Sequence, residues 1–145
     1  MDKRQLMNRV EEILEDAKGA VLATVDEEGR PLVRWMTPTV LKRREGCLYA
    51  VTTPKTRKLV NLDSQPVVEW MIQTRALTEV VNLRGIMRAV DNPALKTEVM
   101  EALGSWLTVF WKINPDKTEF LVTETMIREG TYFRPMKGEK VTIQF

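Results

Sequence analysis

The chain has 145 residues, of which 43% are hydrophobic and 29% are charged, a composition typical of one soluble globular domain with its own core. Its 22 basic and 20 acidic residues leave a formal net charge of +2, which is too balanced for nucleic acid or a membrane surface to be the main partner. We therefore predict one domain over residues 1–145, in which any basic site is a local cluster.

The first half of the chain has the pattern of one helix followed by strands. Apolar residues spaced by three and four predict an amphipathic helix over residues 3–18, with Asp2 as its N-cap and Gly19 as its stop. Pro38 cannot donate a hydrogen bond to a neighbouring strand, so it marks an edge or a bulge in the strand that contains it. The strands predicted here cover residues 20–25, 32–42 and 47–53, with turns at 26–29 and 43–46.

The second half adds further strands around one more helix. Asn92 as N-cap and Pro93 at the first helical position predict a helix that runs to about Leu103, where Gly104 ends it. Six strands in succession, with one helix in front and two inserted, predict a small, mainly β antiparallel barrel. The remaining predicted strands cover residues 67–73, 78–90 and 118–128, followed by a turn at 129–130 and a tail with room for one short last strand.

One stretch concentrates groups that bind anions. The third predicted strand ends in Thr52 and Thr53, and residues 55–58, Lys-Thr-Arg-Lys, follow at the first turn of a predicted short helix that ends near 63–64. A helix N-terminus has unpaired N–H groups and partial positive charge, and arginine can hold a phosphate with two hydrogen bonds. This pattern favours a phosphate cradle. The alternative is a solvated basic turn that Thr53 or Thr56 caps.

A second stretch, residues 105–117, is rich in aromatic residues and has weak periodicity. It contains Trp106, Phe110 and Trp111. One interpretation is that these rings pack in the core. The other is that they form a wall of a site for a flat ligand or a contact between subunits, because aromatic residues are enriched in both.

Missing residue types exclude several kinds of chemistry. The chain has no histidine, which excludes a Ser-His-Asp triad, a Cys-His pair, the common zinc sites and a histidine general base. Cys47 is the only cysteine, so there is no intrachain disulfide, and we expect no metal site. Because the chain begins without the apolar core of a signal peptide and no apolar run is long enough to cross a bilayer, we expect a cytoplasmic protein.

The order of these parts resembles the pyridoxamine 5′-phosphate oxidase-like, FMN-binding split β-barrel family, and within it the general stress protein 26-like branch. The resemblance covers roughly residues 5–128. It implies a six-stranded antiparallel split β-barrel of Greek-key type and a homodimer with two cofactor sites at the interface. The segments that carry it are 22–31, which matches the family's opening hairpin, 48–53 with Thr56, Arg57, Lys58, Asn61 and Leu62, 66–68, and the glycine-bearing strand 83–90.

The resemblance also implies which residues contact the cofactor. In the family, the second strand contributes backbone and side-chain contacts, the third strand and a following Ser/Thr-Arg-Lys group hold the phosphate, and the partner subunit often brings an aromatic ring. The second-strand positions fall here on Arg34, Trp35, Met36 and Thr37, the phosphate positions on Thr52, Thr53, Thr56, Arg57 and Lys58, and the aromatic on Trp106 or Trp111. Val51, in the third strand, is a further cofactor contact that the resemblance implies.

For function, the resemblance implies an FMN-dependent oxidoreductase that passes hydride between the flavin and a small substrate. A flavin-binding protein without turnover, acting as a carrier, store or redox sensor, is the alternative. Some relatives bind a deazaflavin instead, and some bind haem or no cofactor. The Arg-x-His pattern of the vitamin B6 oxidases is missing, which argues against pyridoxamine phosphate as the substrate. No residue pattern marks a general acid or base.

Overall fold

The computed structural model describes residues 1–53, 62–63, 65–104 and 120–145. Strands dominate this part of the chain, which contains seven of them and two α-helices. In chain order the elements are α1 (Lys3–Ala17), β1 (Ala20–Val25), β2 (Pro31–Met36), β3 (Cys47–Thr52), β4 (Val67–Gln73), β5 (Val80–Val90), α2 (Pro93–Leu103), β6 (Leu121–Arg134), a 3-10 turn (Pro135–Lys137) and β7 (Glu139–Gln144).

The seven strands form one antiparallel sheet with the order β2-β1-β4-β5-β6-β3. The long strand β6 pairs with β5 along one edge, and with β3 and then β7 along the other. β2 and β3 therefore stand at opposite ends of the strand order. In the described chain, a single bridge joins these two ends, between Thr39, which follows β2, and Tyr49 of β3. The sheet therefore curves without closing. This arrangement confirms the mainly β, split-barrel fold with flanking helices, and β7 is the short last strand for which the tail has room.

Two apolar clusters stabilise the sheet from opposite faces. On the inner face, α1 buries Leu6, Val10 and Ile13 against strand residues that include Leu22 and Trp70. On the outer face of β3 and β6, α2 covers the second cluster, made of Leu41, Tyr49, Val51, Leu95, Val99, Leu103, Phe120 and Val122. Each fully buried side chain of this size contributes about 1.5–3 kcal/mol, so the helices are held by their apolar faces rather than by helix propensity alone.

The start of α1 agrees with its sequence signals, and its end differs in one residue. Asp2 accepts a hydrogen bond from the Gln5 N–H while the Gln5 side chain accepts one from the Asp2 N–H, which is a capping box. The chain leaves the helix through Lys18, which has a left-handed φ of 69°. Gly19 has a different role, because a Cβ there would lie 2.1 Å from Cζ2 of Trp35. The absence of a side chain at Gly19 leaves the space in which that indole packs.

The second strand is shorter than predicted. β2 ends at Met36, whereas the sequence pattern continued to residue 42. Pro38 offers no N–H to a neighbour, and the chain leaves β1 at this point. Thr39 then pairs with β3 instead, through N–O distances of 2.7 and 2.9 Å to Tyr49. The proline therefore marks the end of the strand, and not a bulge within it.

The fifth and sixth strands also differ from the prediction. β5 starts at Val80 rather than at residue 78, because the Thr74 hydroxyl accepts hydrogen bonds from the N–H groups of Thr78 and Glu79 and closes a turn there. β6 runs through residues 129–130, where a turn was predicted. Gly130 is a strand residue whose missing side chain makes room for α1, since a Cβ would lie 2.4 Å from a Leu6 methyl carbon.

The predicted short helix after β3 is described only at its end. Leu62 and Asp63 are helical, and Leu62 is buried in the inner cluster. The rest of that predicted helix lies outside the described residues. In the described part of the chain, neither α1 nor α2 is long and apolar enough to cross a membrane.

Candidate functional site

The two ends of the strand order meet at the Thr39–Tyr49 bridge, and we call the unpaired stretch beside that bridge the β2–β3 seam. We define it by residues 34–37 on one side and 51–53 on the other. Counting outward in antiparallel register from the Thr39–Tyr49 bridge brings Thr37 opposite Val51 and Met36 opposite Thr52. No strand pairing continues past that bridge among the described residues of the two segments. The seam is therefore the place where the barrel is split.

Arg34 contributes the one cation among the described residues of the seam. It lies on the inner face of β2, opposite the fully buried Leu22 of β1. Its Nη2 donates a hydrogen bond of 2.6 Å to Oγ1 of Thr24, and its Nη1 is buried with no hydrogen-bond partner among the described residues. Burial lowers the pKa of the Arg34 guanidinium, which reflects the cost of removing a charge from water. A buried donor without an acceptor is rare in folded proteins.

The three residues after Arg34 alternate between the two faces. Trp35 points to the outer face, where it lies on Gly19 and is 57% exposed. Met36 points inward and packs against the inner cluster. Thr37 follows the strand and lines, with Pro38 and Thr39, a groove that also contacts the C-terminal ends of α1 and α2. The four positions thus offer a cation, an indole and main-chain groups at one edge of the sheet.

On the other side of the seam, β3 ends in hydroxyl groups. Thr52 lies opposite Leu121 of β6, on the inner face that Leu48 and Ala50 share. Thr52 and Thr53 are both buried. Val51 points to the outer face and belongs to the cluster under α2. The remaining predicted contacts, Thr56, Arg57, Lys58, Trp106 and Trp111, lie outside the described residues, so the phosphate group and the aromatic wall stay predictions.

Thr24 is a polar residue of this region that the sequence analysis missed. It is 1% exposed and stands on the inner face of β1, whose other inner residues are Ala20 and Leu22. Strict alternation in β1 would have indicated it, because a hydroxyl among inward-facing apolar residues needs a partner. That partner is Arg34.

A second polar network lies away from the seam, on the face that α2 covers. The Tyr49 hydroxyl donates to Oε2 of Glu124 at 2.8 Å, and Arg88 pairs with Oε1 at 3.0 Å. Burial and the bond to Glu124 both raise the pKa of Tyr49 well above its ordinary value. Both carboxylate oxygens of Glu124 have partners, so the network joins β3, β5 and β6 and is structural. In the part of the chain that the structure describes, no cluster of His, Cys, Asp or Glu could hold a metal ion.

The outer face of the sheet beside the seam is apolar and uncovered in one chain. Trp35 and Val21 are directly opposite each other, as are Val33 and Ala23, so these side chains share this face. Next to them, Arg84 of β5 pairs with Glu69 at 3.2 Å and lies 3.9 Å from Glu129, which places charges of both signs across the same face. The large apolar residues exposed on it are Val33 at 67%, Trp35 at 57%, Val67 at 51% and Met126 at 40%.

Comparison with models of known protein families gives a match over most of the chain. The family model described as pyridoxamine 5′-phosphate oxidase matches residues 6–133. Among curated proteins, none matches the chain significantly.

Solved structures share the fold over nearly the whole chain. A NimC/NimA family protein from Clostridium acetobutylicum has a TM-score of 0.75 at 26% identity, with 99% of this chain and 94% of that one covered. A protein related to general stress protein 26 of B. subtilis, also from Clostridium acetobutylicum, has a TM-score of 0.74 at 17% identity, with 100% and 97% covered. A pyridoxamine 5′-phosphate oxidase-related, FMN-binding protein from Nostoc punctiforme has a TM-score of 0.67 at 12% identity, with 98% and 95% covered.

The family match spans nearly all of the stretch over which the sequence resemblance was drawn, and the solved structures share the fold described above. The chain belongs to the pyridoxamine 5′-phosphate oxidase family.

Proposed function

We propose that this protein binds FMN at the β2–β3 seam and acts as a flavin-dependent oxidoreductase on a small substrate. The observation that carries the proposal is the buried Nη1 of Arg34, which has no hydrogen-bond partner. A guanidinium held in this way costs free energy unless a ligand supplies an acceptor, and an anionic acceptor offsets the cost most. FMN carries a phosphate that meets this need.

The chemistry of the seam fits a flavin in other respects. Thr52 and Thr53 offer hydroxyl groups to a phosphate, and Met36, on the same inner face as Arg34, offers apolar surface to a flat ring. Lys58, Arg57 and Thr56 are the predicted phosphate ligands outside the described residues, and Trp106 or Trp111 is the predicted aromatic of the partner subunit. The bound flavin would supply the redox chemistry, while the chain would bind it, orient it and exclude water.

Membership of the family supports the choice of cofactor. One relative with the same fold, from Nostoc punctiforme, is described as FMN-binding. A deazaflavin is the alternative cofactor, since its phosphate would meet the same residues.

A flavin-binding protein without turnover is the second candidate function. The observation in its favour is that Arg34 is the only titratable side chain among the described residues of the seam. Arginine stays protonated near neutral pH, so it cannot act as a general acid or base. The oxidoreductase would therefore depend on the flavin for its chemistry and on the protein for position, as hydride transfer permits.

The proposal includes a homodimer with cofactor sites at the interface. The apolar outer face beside the seam supports it, because a symmetric second copy is the most common way to cover such a face. Glu69, Arg84 and Glu129 give that face charges of both signs, so two copies related by a two-fold axis can match opposite charges.

Flavin titration of the purified protein tests the proposal. We expect quenching of FMN fluorescence to saturate at one flavin per chain, and the bound flavin to bleach rapidly with NADH or NADPH. Bleaching that fails with several electron donors, in protein that binds FMN, would favour the binder without turnover. Absence of FMN and deazaflavin binding would contradict the proposal.

A further inference from the structure

The hydrogen bond between Thr24 and Arg34 indicates a role for Thr24, which lies one strand away from the seam. Thr24 is on β1, is 1% exposed, and accepts from Nη2 of Arg34 at 2.6 Å. Its neighbours on the inner face of β1, Ala20 and Leu22, are apolar and offer no side-chain acceptor. Among the described residues, the Thr24 hydroxyl is the acceptor found for the guanidinium. The other nitrogen, Nη1, is buried without a partner.

A guanidinium is planar, so fixing one of its nitrogens also fixes the direction in which the other one donates. Without Thr24, the long arginine side chain would be free to adopt other rotamers and to reach for water or main-chain oxygens. Holding it in advance reduces the entropy that is lost when a ligand binds. The residue that holds Arg34 should therefore affect affinity without touching the ligand.

We propose that Thr24 is a positioning residue, which orients Arg34 so that Nη1 is presented to a phosphate oxygen of the bound ligand. The inference rests on the proposed function for the identity of the ligand as FMN. Its structural part, a phosphate-binding Arg34 that Thr24 holds in place, does not depend on the flavin ring. The two parts can be tested separately.

The first experiment compares the binding of FMN and of riboflavin, which lacks the phosphate, to the parent and two variants. Thr24→Val keeps the shape of the side chain and removes the acceptor, whereas Thr24→Ser keeps the acceptor. We expect Thr24→Val to weaken FMN affinity by about tenfold, as the loss of one ordinary hydrogen bond would. We expect it to leave riboflavin affinity unchanged, and we expect Thr24→Ser to keep FMN affinity close to that of the parent.

Arg34→Met provides the test that separates positioning from a general structural effect. If Thr24 acts through Arg34, Thr24→Val should weaken FMN binding in the parent and have no further effect in Arg34→Met. Losses that simply add would overturn the proposal, as would parent-like FMN affinity in Thr24→Val. An equal loss for FMN and riboflavin would overturn the assignment to phosphate.

The second experiment needs no flavin. Inorganic phosphate is added to each protein while the guanidinium signals of Arg34 are followed by ¹H–¹⁵N NMR. We expect the signals to shift in the parent and in Thr24→Ser at similar phosphate concentrations, and in Thr24→Val only at about tenfold higher phosphate. If the parent fails to bind FMN but shows this pattern, the proposed function fails and the role of Thr24 stands. If phosphate leaves the Arg34 signals of the parent unchanged, the role of Thr24 is overturned. Thr24→Ala replaces Thr24→Val in both experiments if the valine variant does not fold.

Discussion

Arg34 illustrates how a single side chain can be costly for folding and useful for binding. Replacing it with methionine removes a buried charge that has one hydrogen bond and no acidic partner among the described residues. Substitution of such a charge by an apolar residue of similar length is often neutral or stabilising. Arg34→Met also leaves the buried Thr24 hydroxyl without its partner, which offsets this gain. We therefore expect Arg34→Met to change the melting temperature of the flavin-free protein little, and to weaken FMN affinity by about ten- to a hundredfold.

Thermal unfolding with and without FMN checks this prediction. Arg4→Met, at an exposed position of α1, is the matched control and should change neither quantity. A large loss of stability together with parent-like FMN affinity would identify Arg34 as a structural residue instead.

Lys58 carries the prediction that rests on sequence alone. Replacing it with alanine should remove a charge-assisted hydrogen bond to the FMN phosphate, worth about 1.5–3 kcal/mol or roughly ten- to a hundredfold in affinity. Lys55→Ala is the control, because the predicted strand-to-helix turn directs Lys55 to solvent. Flavin titration of both variants beside the parent is the measurement. Equal affinity in the parent and in a folded Lys58→Ala would refute the assignment.

At the scale of single elements, local signals identified most of the strands and both described helices. Asp2 and Asn92 cap the helices as predicted, because a cap depends on a few neighbouring residues. The residues at which strands end were less predictable. Gly130 looks like a turn residue in the sequence but is buried inside β6, where Leu6 of α1 occupies the space of its missing side chain. That reason lies more than a hundred positions away and is invisible to a local pattern.

The contact that fixes α1 to the sheet predicts a pH dependence of stability. Arg9 of α1 and Tyr132 of β6 both donate hydrogen bonds to Glu79, whose side chain is 17% exposed. Burial alone would raise the pKa of Glu79, but the bonds from Tyr132 and Arg9 outweigh it and hold the pKa below its ordinary value. A carboxyl group with a lowered folded-state pKa stabilises the fold above its ordinary pKa, and that contribution is lost as the pH falls through the folded-state value.

We therefore expect Glu79→Gln to be less stable than the parent near neutral pH, by about 1.5–3 kcal/mol for the lost bonds to a charged group. The difference should shrink as the pH falls from the ordinary pKa of a glutamate through the lowered folded-state value, where the parent carboxyl becomes protonated too. Chemical denaturation at several pH values measures it. Glu139→Gln, which removes an exposed partner of Arg134, is the control and should have little effect at any pH. A difference that stays constant down to the most acidic pH would contradict the role of the charge.

At the scale of the whole molecule, the seam could be predicted from the sequence only through the family resemblance. β2 and β3 are adjacent in the chain but stand at opposite ends of the strand order, so their approach results from the curvature of the entire sheet. No pattern within either strand encodes that curvature. The partnership of Thr24 and Arg34 is more local, because the register of the β1–β2 hairpin sets it.

Assembly is the last property predicted at this scale. Trp35 lies on the apolar outer face beside the seam and is 57% exposed, so in a dimer it would lose contact with water. We expect the parent to be a dimer at micromolar concentration by light scattering, and Trp35→Glu to be largely monomeric because a buried unpaired charge is costly. Met136→Glu is the control: Met136 is 86% exposed in the turn between β6 and β7, away from that face, and its replacement should leave the dimer intact. A monomeric parent, or a Trp35→Glu variant that remains dimeric, would rule out this face as the interface.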